Sequence, residues 1–146
     1  MSYRRIALLS ILLAVCACSE SRTKQHAGVN VRLVSISRTA EVRQGVMGSF
    51  RPRDPNDEIA VVKLEISPAG STKVKLGAKD CELKDTEGKS HFSDSDMEFT
   101  LGGNDSKMPW DFHFAVPKSA MLDTLRIGTA TFKLGGVREL DAEAKK

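Results

Sequence analysis

Residues 58–67 read EIAVVKLEIS, and apolar side chains occupy every second position of this stretch. The apolar set consists of Ala60, Val62, Leu64 and Ile66. Lys63 and Glu65 fall between them and therefore face the other way, because successive side chains of a strand point to opposite faces. The pattern predicts a strand with one face in a hydrophobic core, ended by the turn that begins at Pro68.

Further strand patterns lie on both sides of this segment. Residues 29–37 alternate, but the phase changes after Leu33, which indicates a β-bulge or a change of sheet. Short strands are also predicted around residues 73–76, 78–83, 90–93 and 97–101. Residues 107–116 are predicted to form the aromatic centre of the core, with Trp110, Phe112, Phe114 and Val116 on one face.

Turn signals separate these strands and fix the predicted fold class. Residues 85–89, DTEGK, suit a type I turn with Gly88 in the left-handed position of a hairpin. A last strand region spans residues 122–134. No amphipathic helix of ten or more residues is indicated after residue 17. The sequence therefore predicts an all-β protein, an antiparallel immunoglobulin-like β-sandwich of about seven to nine strands behind a cleaved leader.

The first seventeen residues have the parts of an export signal. Arg4 and Arg5 precede an apolar run from Ile6 to Val15 that only Ser10 interrupts. A stable transmembrane helix needs roughly 20 apolar residues, so this run is too short to span a bilayer. We expect it to be a signal segment that is removed.

The end of the leader, Val15-Cys16-Ala17-Cys18, resembles the lipobox of bacterial lipoproteins. The resemblance implies cleavage between Ala17 and Cys18 and attachment of lipid to Cys18. Several acyl chains would then hold the protein, because a single chain binds membranes only marginally. The alternative is an ordinary secretory signal that is cut near Ala17. Ser19 stands where Asp often marks inner-membrane retention, which implies the periplasmic face of the outer membrane in a Gram-negative source.

Cleavage at this position leaves 129 of the 146 residues, which suffices for one domain. Without Arg4 and Arg5 the chain holds 20 basic and 19 acidic residues, so no basic excess suggests nucleic-acid binding. We expect a flexible tether over residues 18–28, the sandwich over residues 29–136, and a polar tail over residues 137–146.

Cys81 is the one cysteine left after lipidation of Cys18 and loss of the leader, so no internal disulfide is expected. It shares a strand face with Leu83, and Asp80 and Glu82 flank it. Neighbouring acids raise the pKa of a thiol, so an inert buried cysteine is favoured over a reactive one.

The middle of the chain resembles the DUF4352 family of exported bacterial immunoglobulin-like domains, related to small secreted mycobacterial antigens. The resemblance rests on four stretches between about residues 58 and 130: IAVVKLEIS, CELKDTEGKSHF, WDFHFAVPKSA and LDTLRIG. The chain lacks the Asn that often ends the strand before Pro68 in that family. The resemblance implies a sandwich fold and supplies no catalytic residues.

Motifs for catalysis or metal binding are weak in this chain. No hydrolase motif is present, and His26, His91 and His113 have no metal-ligand spacing. Three acidic turns could offer oxygen ligands to calcium: Asp54 with Asp57, Asp94 with Asp96, and Asn104 with Asp105. Ordinary turn formation is the favoured interpretation of these residues. We expect no catalytic residues, no bound metal and no cofactor.

These observations favour a lipid-anchored cell-envelope protein whose domain is a non-enzymatic protein-interaction module. Its partners would be membrane lipid, through Cys18, and an envelope protein. The expected contact surface is the long polar connection 38–57 or an exposed strand edge. The alternative is a periplasmic protein that binds a small ligand or calcium through its acidic loops.

Overall fold

The computed structural model describes residues 22–26, 28–68, 74–93, 99–101 and 107–141. Within these residues it contains thirteen strands. They are β1 (Thr23–His26), β2 (Val29–Thr39), β3 (Val42–Arg43), β4 (Ser49–Phe50), β5 (Asp57–Pro68), β6 (Val74–Leu76), β7 (Cys81–Asp85), β8 (Ser90–Phe92), β9 (Phe99–Leu101), β10 (Met108–Pro117), β11 (Leu122–Ile127), β12 (Ala130–Val137) and β13 (Leu140–Asp141). Short 3-10 turns occupy Gly45–Met47 and Ala78–Asp80.

The first sheet is built around β5, the strand that the alternating sequence predicted. It runs in the order β1-β2-β5-β10, and β13 also pairs with β2. All its pairings are antiparallel, with Leu64 opposite Leu33 on one side and Trp110 on the other. Ile59 and Val61 are buried on the second face of β5, so Lys63 begins the exposed part of that face.

The second sheet runs in the order β12-β11-β7-β8 and packs on the first. Apolar side chains from both sheets make one core: Val29, Val31, Leu33, Ile36, Ala60, Val62, Leu64, Ile66, Cys81, Leu83, Phe112, Phe114, Val116, Leu122, Leu125, Ile127, Ala130, Phe132 and Leu134. The predicted all-β antiparallel sandwich is therefore confirmed, but the described residues form more strands than the seven to nine that were predicted. Two short ribbons, β3 with β4 and β6 with β9, stand outside the main sheets.

The phase change in the first long strand is a β-bulge. The register of β2 against β5 shifts between Leu33 and Ser35, so Val34 has no opposite residue. One extra residue turns the following side chains to the other face, which explains why Leu33 and Ile36 both reach the core. A second irregularity lies between Leu122 and Thr124 of β11.

The structure corrects three expectations about the chain. The tether predicted over residues 18–28 is not flexible throughout, because Thr23–His26 forms β1. The polar tail predicted over residues 137–146 contains β13, which pairs with Ser35 and Ile36. The single strand region 122–134 is a hairpin that turns at Gly128 and Thr129.

Both added strands cover the same edge of β2. Strand β1 pairs with its first part, Thr23 opposite Arg32 and His26 opposite Val29, whereas β13 pairs with its second part. His26 also crosses to the second sheet, where its Nδ1 lies 2.9 Å from both the hydroxyl and the backbone nitrogen of Thr129. His26 thereby joins the two sheets. We call this contact the His26 clasp.

Candidate functional site

The predicted lipid-attachment residue Cys18 and the cleavage-site residue Ala17 lie outside the described residues. The first described residue is Arg22, whose carbonyl accepts a hydrogen bond of 2.9 Å from the backbone of Leu33. The described part of the chain thus begins four positions after Cys18.

The long polar connection between β2 and β5 is built as a ribbon. Strands β3 and β4 pair, with Val42 opposite Phe50 and Arg43 opposite Ser49. The turn between them is closed by a hydrogen bond of 2.8 Å from the Gln44 amide to the Gly48 carbonyl. The predicted contact surface therefore has a definite shape at this end of the sandwich.

The tip of this ribbon presents two apolar side chains to solvent. Val46 is 104% exposed and Met47 is 87% exposed, each relative to the fully accessible residue. Gly45 and Gly48 flank them in left-handed conformations, with φ of 54° and 96°. Such angles suit glycine, so the turn that projects these side chains depends on both glycines.

A groove of about 700 Å³ lies between the ribbon and the main sheet. Its walls are Ser49, Phe50, Arg51, Arg53, Asp54, Asp57 and Ala115. Arg51 donates a hydrogen bond of 2.9 Å to Glu41. Hydrogen bonds from Ser49 and then Arg51 hold the pKa of Glu41 below its ordinary value. The groove is open and carries charges of both signs.

Asp54, an acidic residue of the groove, forms a turn. Its carboxylate accepts a hydrogen bond of 2.8 Å from the Asn56 amide, and its backbone carbonyl accepts one of 3.1 Å from the Asp57 amide. Across the described part of the chain, no group of three or more His, Cys, Asp or Glu is placed to hold a metal. The pairs Asp94 with Asp96 and Asn104 with Asp105 lie outside that part.

A buried ionic cluster closes the sandwich beside the ribbon. Glu58 of β5 contacts two guanidinium groups, Arg138 at 2.6 Å and Arg38 at 3.7 Å, and only 10% of its side chain is exposed. Arg38 also donates to the carbonyls of Ala120 at 2.7 Å and Arg138 at 3.0 Å. Burial lowers the pKa of Arg38, opposed by Glu58. The cluster joins β2, β5 and two chain turns.

Sequence reasoning missed a second buried polar pair, Asp85 with His91. The His91 Nε2 lies 2.9 Å from one carboxylate oxygen of Asp85, and the two side chains are 4–5% exposed. The other oxygen accepts hydrogen bonds of 3.0 and 2.9 Å from the amides of Glu87 and Lys89. Burial raises the pKa of Asp85, but the hydrogen bonds from His91, Lys89 and Glu87 outweigh it, so the pKa falls below its ordinary value.

The Asp85 pair is built into the predicted hairpin turn. Gly88 has φ of 82° and its amide donates to the Asp85 carbonyl at 3.0 Å, as the turn prediction required. The sequence feature that could have indicated this pair is an Asp that begins a hairpin turn, followed by a His on the second strand of the hairpin. Both carboxylate oxygens are occupied within the hairpin, so the arrangement stabilises the turn.

Cys81 is buried, and its environment matches the expectation of an inert thiol. It is 0% exposed. Burial, with a smaller contribution from Asp80, raises the pKa of its thiol to about 12. Its sulfur lies 3.6 Å from the Gly77 carbonyl. At neutral pH the reactive thiolate is therefore scarce.

The three histidines lie on three different strands: His26 on β1, His91 on β8 and His113 on β10. His113 is half-buried opposite Val61, and burial lowers the pKa of its imidazole. The structure brings His26 to Thr129 and His91 to Asp85, which are separate places in the fold.

Comparison with known proteins gives similarity of fold. No family profile matches the chain, so the resemblance to DUF4352 stays a prediction, and no curated protein matches it. A conserved hypothetical protein from Bacillus anthracis is similar in structure, with a TM-score of 0.57 and 13% identity, over 77% of this chain and 92% of that one.

A second similar structure is a "putative lipoprotein (ycdA)" from Bacillus subtilis, with a TM-score of 0.54 and 15% identity. The match covers 86% of this chain but only 40% of that protein. At these identities the likeness concerns the fold. No helix in the described residues is long and apolar enough to cross a membrane.

Proposed function

We propose that this protein is a lipid-anchored component of the cell envelope whose sandwich domain is a non-enzymatic protein-interaction module. Acyl chains on Cys18 would retain it, and the groove beside the ribbon would bind an envelope protein. In a Gram-negative source its place would be the periplasmic face of the outer membrane, since Ser19 follows the cysteine.

The lipobox-like end of the leader supports the anchor. The apolar run 6–15, the small Ala17 and Cys18 follow each other in the order that lipoprotein signals require. The fold similarity to the Bacillus subtilis protein described as a lipoprotein agrees with this proposal.

The observation that carries the interaction role is the ordered groove of about 700 Å³. Its wall combines the half-buried aromatic ring of Phe50 with the cation of Arg51 and the carboxylate of Asp54. Aromatic and arginine side chains are enriched where proteins meet, and mixed charges fix the register of a partner. The ionic cluster around Glu58 holds the base of this end in place.

Photocrosslinking in the native cell tests the proposal. A photoreactive amino acid would replace Ser49 in the groove, and a matched variant would carry it at Thr131, exposed on β12 of the other sheet. We expect a discrete protein adduct from position 49 and none from position 131. Each variant would also be made with Cys18→Ala, and we expect the adduct to need an intact Cys18.

Two results would contradict the proposal separately. Equal or absent adducts from positions 49 and 131 would remove the groove as the contact surface. A mature protein whose mass shows an unmodified Cys18 would remove the lipid anchor, whatever the groove binds.

A further inference from the structure

The tip of the ribbon, Gly45 to Gly48, is shaped to present apolar side chains outward. Val46 and Met47 are 104% and 87% exposed, compared with 52% for Phe92 and 41% for Met121. The tip is closed by hydrogen bonds from Gln44 to Gly48 and from Met47 to Gln44, of 2.8 and 2.9 Å. A turn of fixed geometry thus holds two adjacent apolar side chains in solvent, where they contribute no free energy of apolar burial to the fold.

Arginine side chains lie behind the apolar tip. Arg43, Arg51 and Arg53 fall within residues 42–53, and Glu41 and Asp54 flank this stretch. Arg51 is paired with Glu41 at 2.9 Å, whereas Arg43 and Arg53 are exposed. This combination suits an anionic surface with an apolar interior.

The proposed anchor brings such a surface within reach. This step rests on the proposed function, because it requires lipid on Cys18. Three residues lie between Cys18 and Arg22, and an extended chain over these four steps spans at most about 14 Å. Since Arg22 is already fixed to Leu33 of β2, no long stalk separates the sandwich from the bilayer.

The direction of β1 points to the same end of the sandwich. Thr23 lies opposite Arg32, so the chain before Thr23 approaches along the side of β2 that leads toward Thr39. The ribbon begins three residues after Thr39, at Val42. The anchored end of the chain and the base of the ribbon therefore face the same way along β2.

We propose that the ribbon tip inserts Val46 and Met47 into the headgroup–acyl boundary of an anionic bilayer, while Arg43 and Arg53 contact lipid phosphates. A convex tip with two apolar side chains can insert into the headgroup–acyl boundary, because lipids can rearrange around it. The contact would fix the orientation of the domain on the membrane.

A fluorescent reporter next to the tip tests this contact. The processed protein carrying Gln44→Cys would be labelled with an environment-sensitive dye and reconstituted into phosphatidylcholine vesicles with or without an equal part of phosphatidylglycerol. Cys81 is buried with a raised thiol pKa, so the label goes to the introduced cysteine. Brominated phosphatidylcholine in the same vesicles reports contact with the acyl region by quenching the dye.

We expect a blue shift and strong quenching at position 44 in the anionic vesicles, and neither for a Lys133→Cys reporter on β12. The tip change Val46→Ser/Met47→Ser should remove the quenching, whereas Phe92→Ser/Met121→Ser should keep it. Arg43→Gln/Arg53→Gln should lower the inserted fraction about tenfold, because cations near an anionic surface add to binding. Lys84→Gln/Lys133→Gln is the matched control with the reporter at position 44.

The proposal is overturned if position 44 is quenched no more than position 133, or if the double serine change at the tip leaves quenching intact. Quenching that is equal in neutral and anionic vesicles would overturn the role of the arginines. The mass of the same preparation shows separately whether Cys18 carries lipid. Failure of the anchor and failure of the tip are therefore distinguished by different measurements.

Discussion

Asp85 shows how one residue combines the roles of turn, strand and core. Its carboxylate is nearly inaccessible, yet each oxygen has donors: His91 for one, and the amides of Glu87 and Lys89 for the other. A buried carboxylate is costly unless it is hydrogen-bonded in this way. The charge of Asp85 is thus part of the folded hairpin between β7 and β8.

Asp85→Asn should lower the free energy of unfolding by about 1–3 kcal/mol at neutral pH, since an amide cannot accept all of these hydrogen bonds. The folded-state pKa of Asp85 is depressed, so its stabilisation is present above the ordinary value of 3.8 and is lost as pH falls through the lower folded pKa. Urea unfolding at several pH values measures this. The gap between wild type and Asp85→Asn should narrow in acid.

The exposed Asp123 provides the control for this prediction. Asp123→Asn should change stability by no more than about 0.5 kcal/mol at any pH. If the unfolding free energy of Asp85→Asn fell with decreasing pH as steeply as that of the wild type, carboxylates other than Asp85 would govern the loss of stability in acid.

At the residue scale, the sequence predicted side chains that follow a period and missed those that depend on a partner. The buried face of Phe112 and Phe114 and the burial of Cys81 followed from alternation. The pairing of Asp85 with His91 required the register of the hairpin, which places Leu83 opposite His91. No local pattern marks that register in advance.

At the element scale, two segments with little intrinsic preference for the β conformation become strands because they pair with the open edge of β2. The sequence of β1, Thr-Lys-Gln-His, has no apolar alternation, and β13 has two residues. Both are strands because β2 offers unpaired backbone groups there, and such groups are satisfied by pairing. The predictions of a tether and a tail failed at these places because the strands form through tertiary pairing with β2, which the local sequence does not reveal. Strand β5 was predictable because its signal is local.

Gly128→Ala should loosen β1 through the His26 clasp. Gly128 has φ of 57°, and a Cβ there would overlap the His26 ring. The left-handed backbone costs an alanine about 1–2 kcal/mol, and displacement of the ring adds to that cost. We expect a total loss of about 2–4 kcal/mol of stability and faster amide exchange across Thr23–His26.

The matched change Gly88→Ala separates the two causes. Gly88 has φ of 82°, but no atom lies within 4 Å of the added Cβ. Gly88→Ala should therefore lower stability only by the cost of placing alanine in a left-handed backbone conformation. It should leave amide exchange in β1 unchanged. Equal exchange in the two variants would show that His26 does not hold β1 in place.

At the scale of the whole molecule, the Glu58 cluster joins distant segments of the chain. Arg38, Glu58 and Arg138 come from β2, β5 and the link between β12 and β13, and Arg138 also donates to the Lys118 carbonyl. The sequence predicted the class of this sandwich but neither the strand order nor this cluster. Charged residues at the ends of strands give no periodic signal, so their meeting depends on the finished topology.

Glu58→Gln should destabilise the whole domain by about 3–5 kcal/mol, because it removes the main counter-charge of the buried Arg38 cation. Thermal unfolding should remain one transition at a lower midpoint. The double change Arg38→Leu/Glu58→Leu should recover much of the loss, since it removes the buried charge as well as its partner.

Glu65→Gln is the control on the surface. Glu65 contacts Arg32 at 3.7 Å and Lys107 at 3.1 Å, and 28% of its side chain is exposed. Exposed pairs contribute at most about 1 kcal/mol. A loss as large as that of Glu58→Gln would mean that burial is not what makes the Glu58 cluster matter.

The shared edge of β2 also bears on when the protein folds during its synthesis. His26 and Thr129 are 103 positions apart, and the edge is complete only once Leu140 and Asp141 are available. Folds dominated by such distant pairings assemble slowly, because a large loop must close before the contacts form. The first sheet therefore cannot be completed before residues 140 and 141 have been synthesised. In the exported protein proposed above, this slow closure would favour transport of the chain before the sandwich forms.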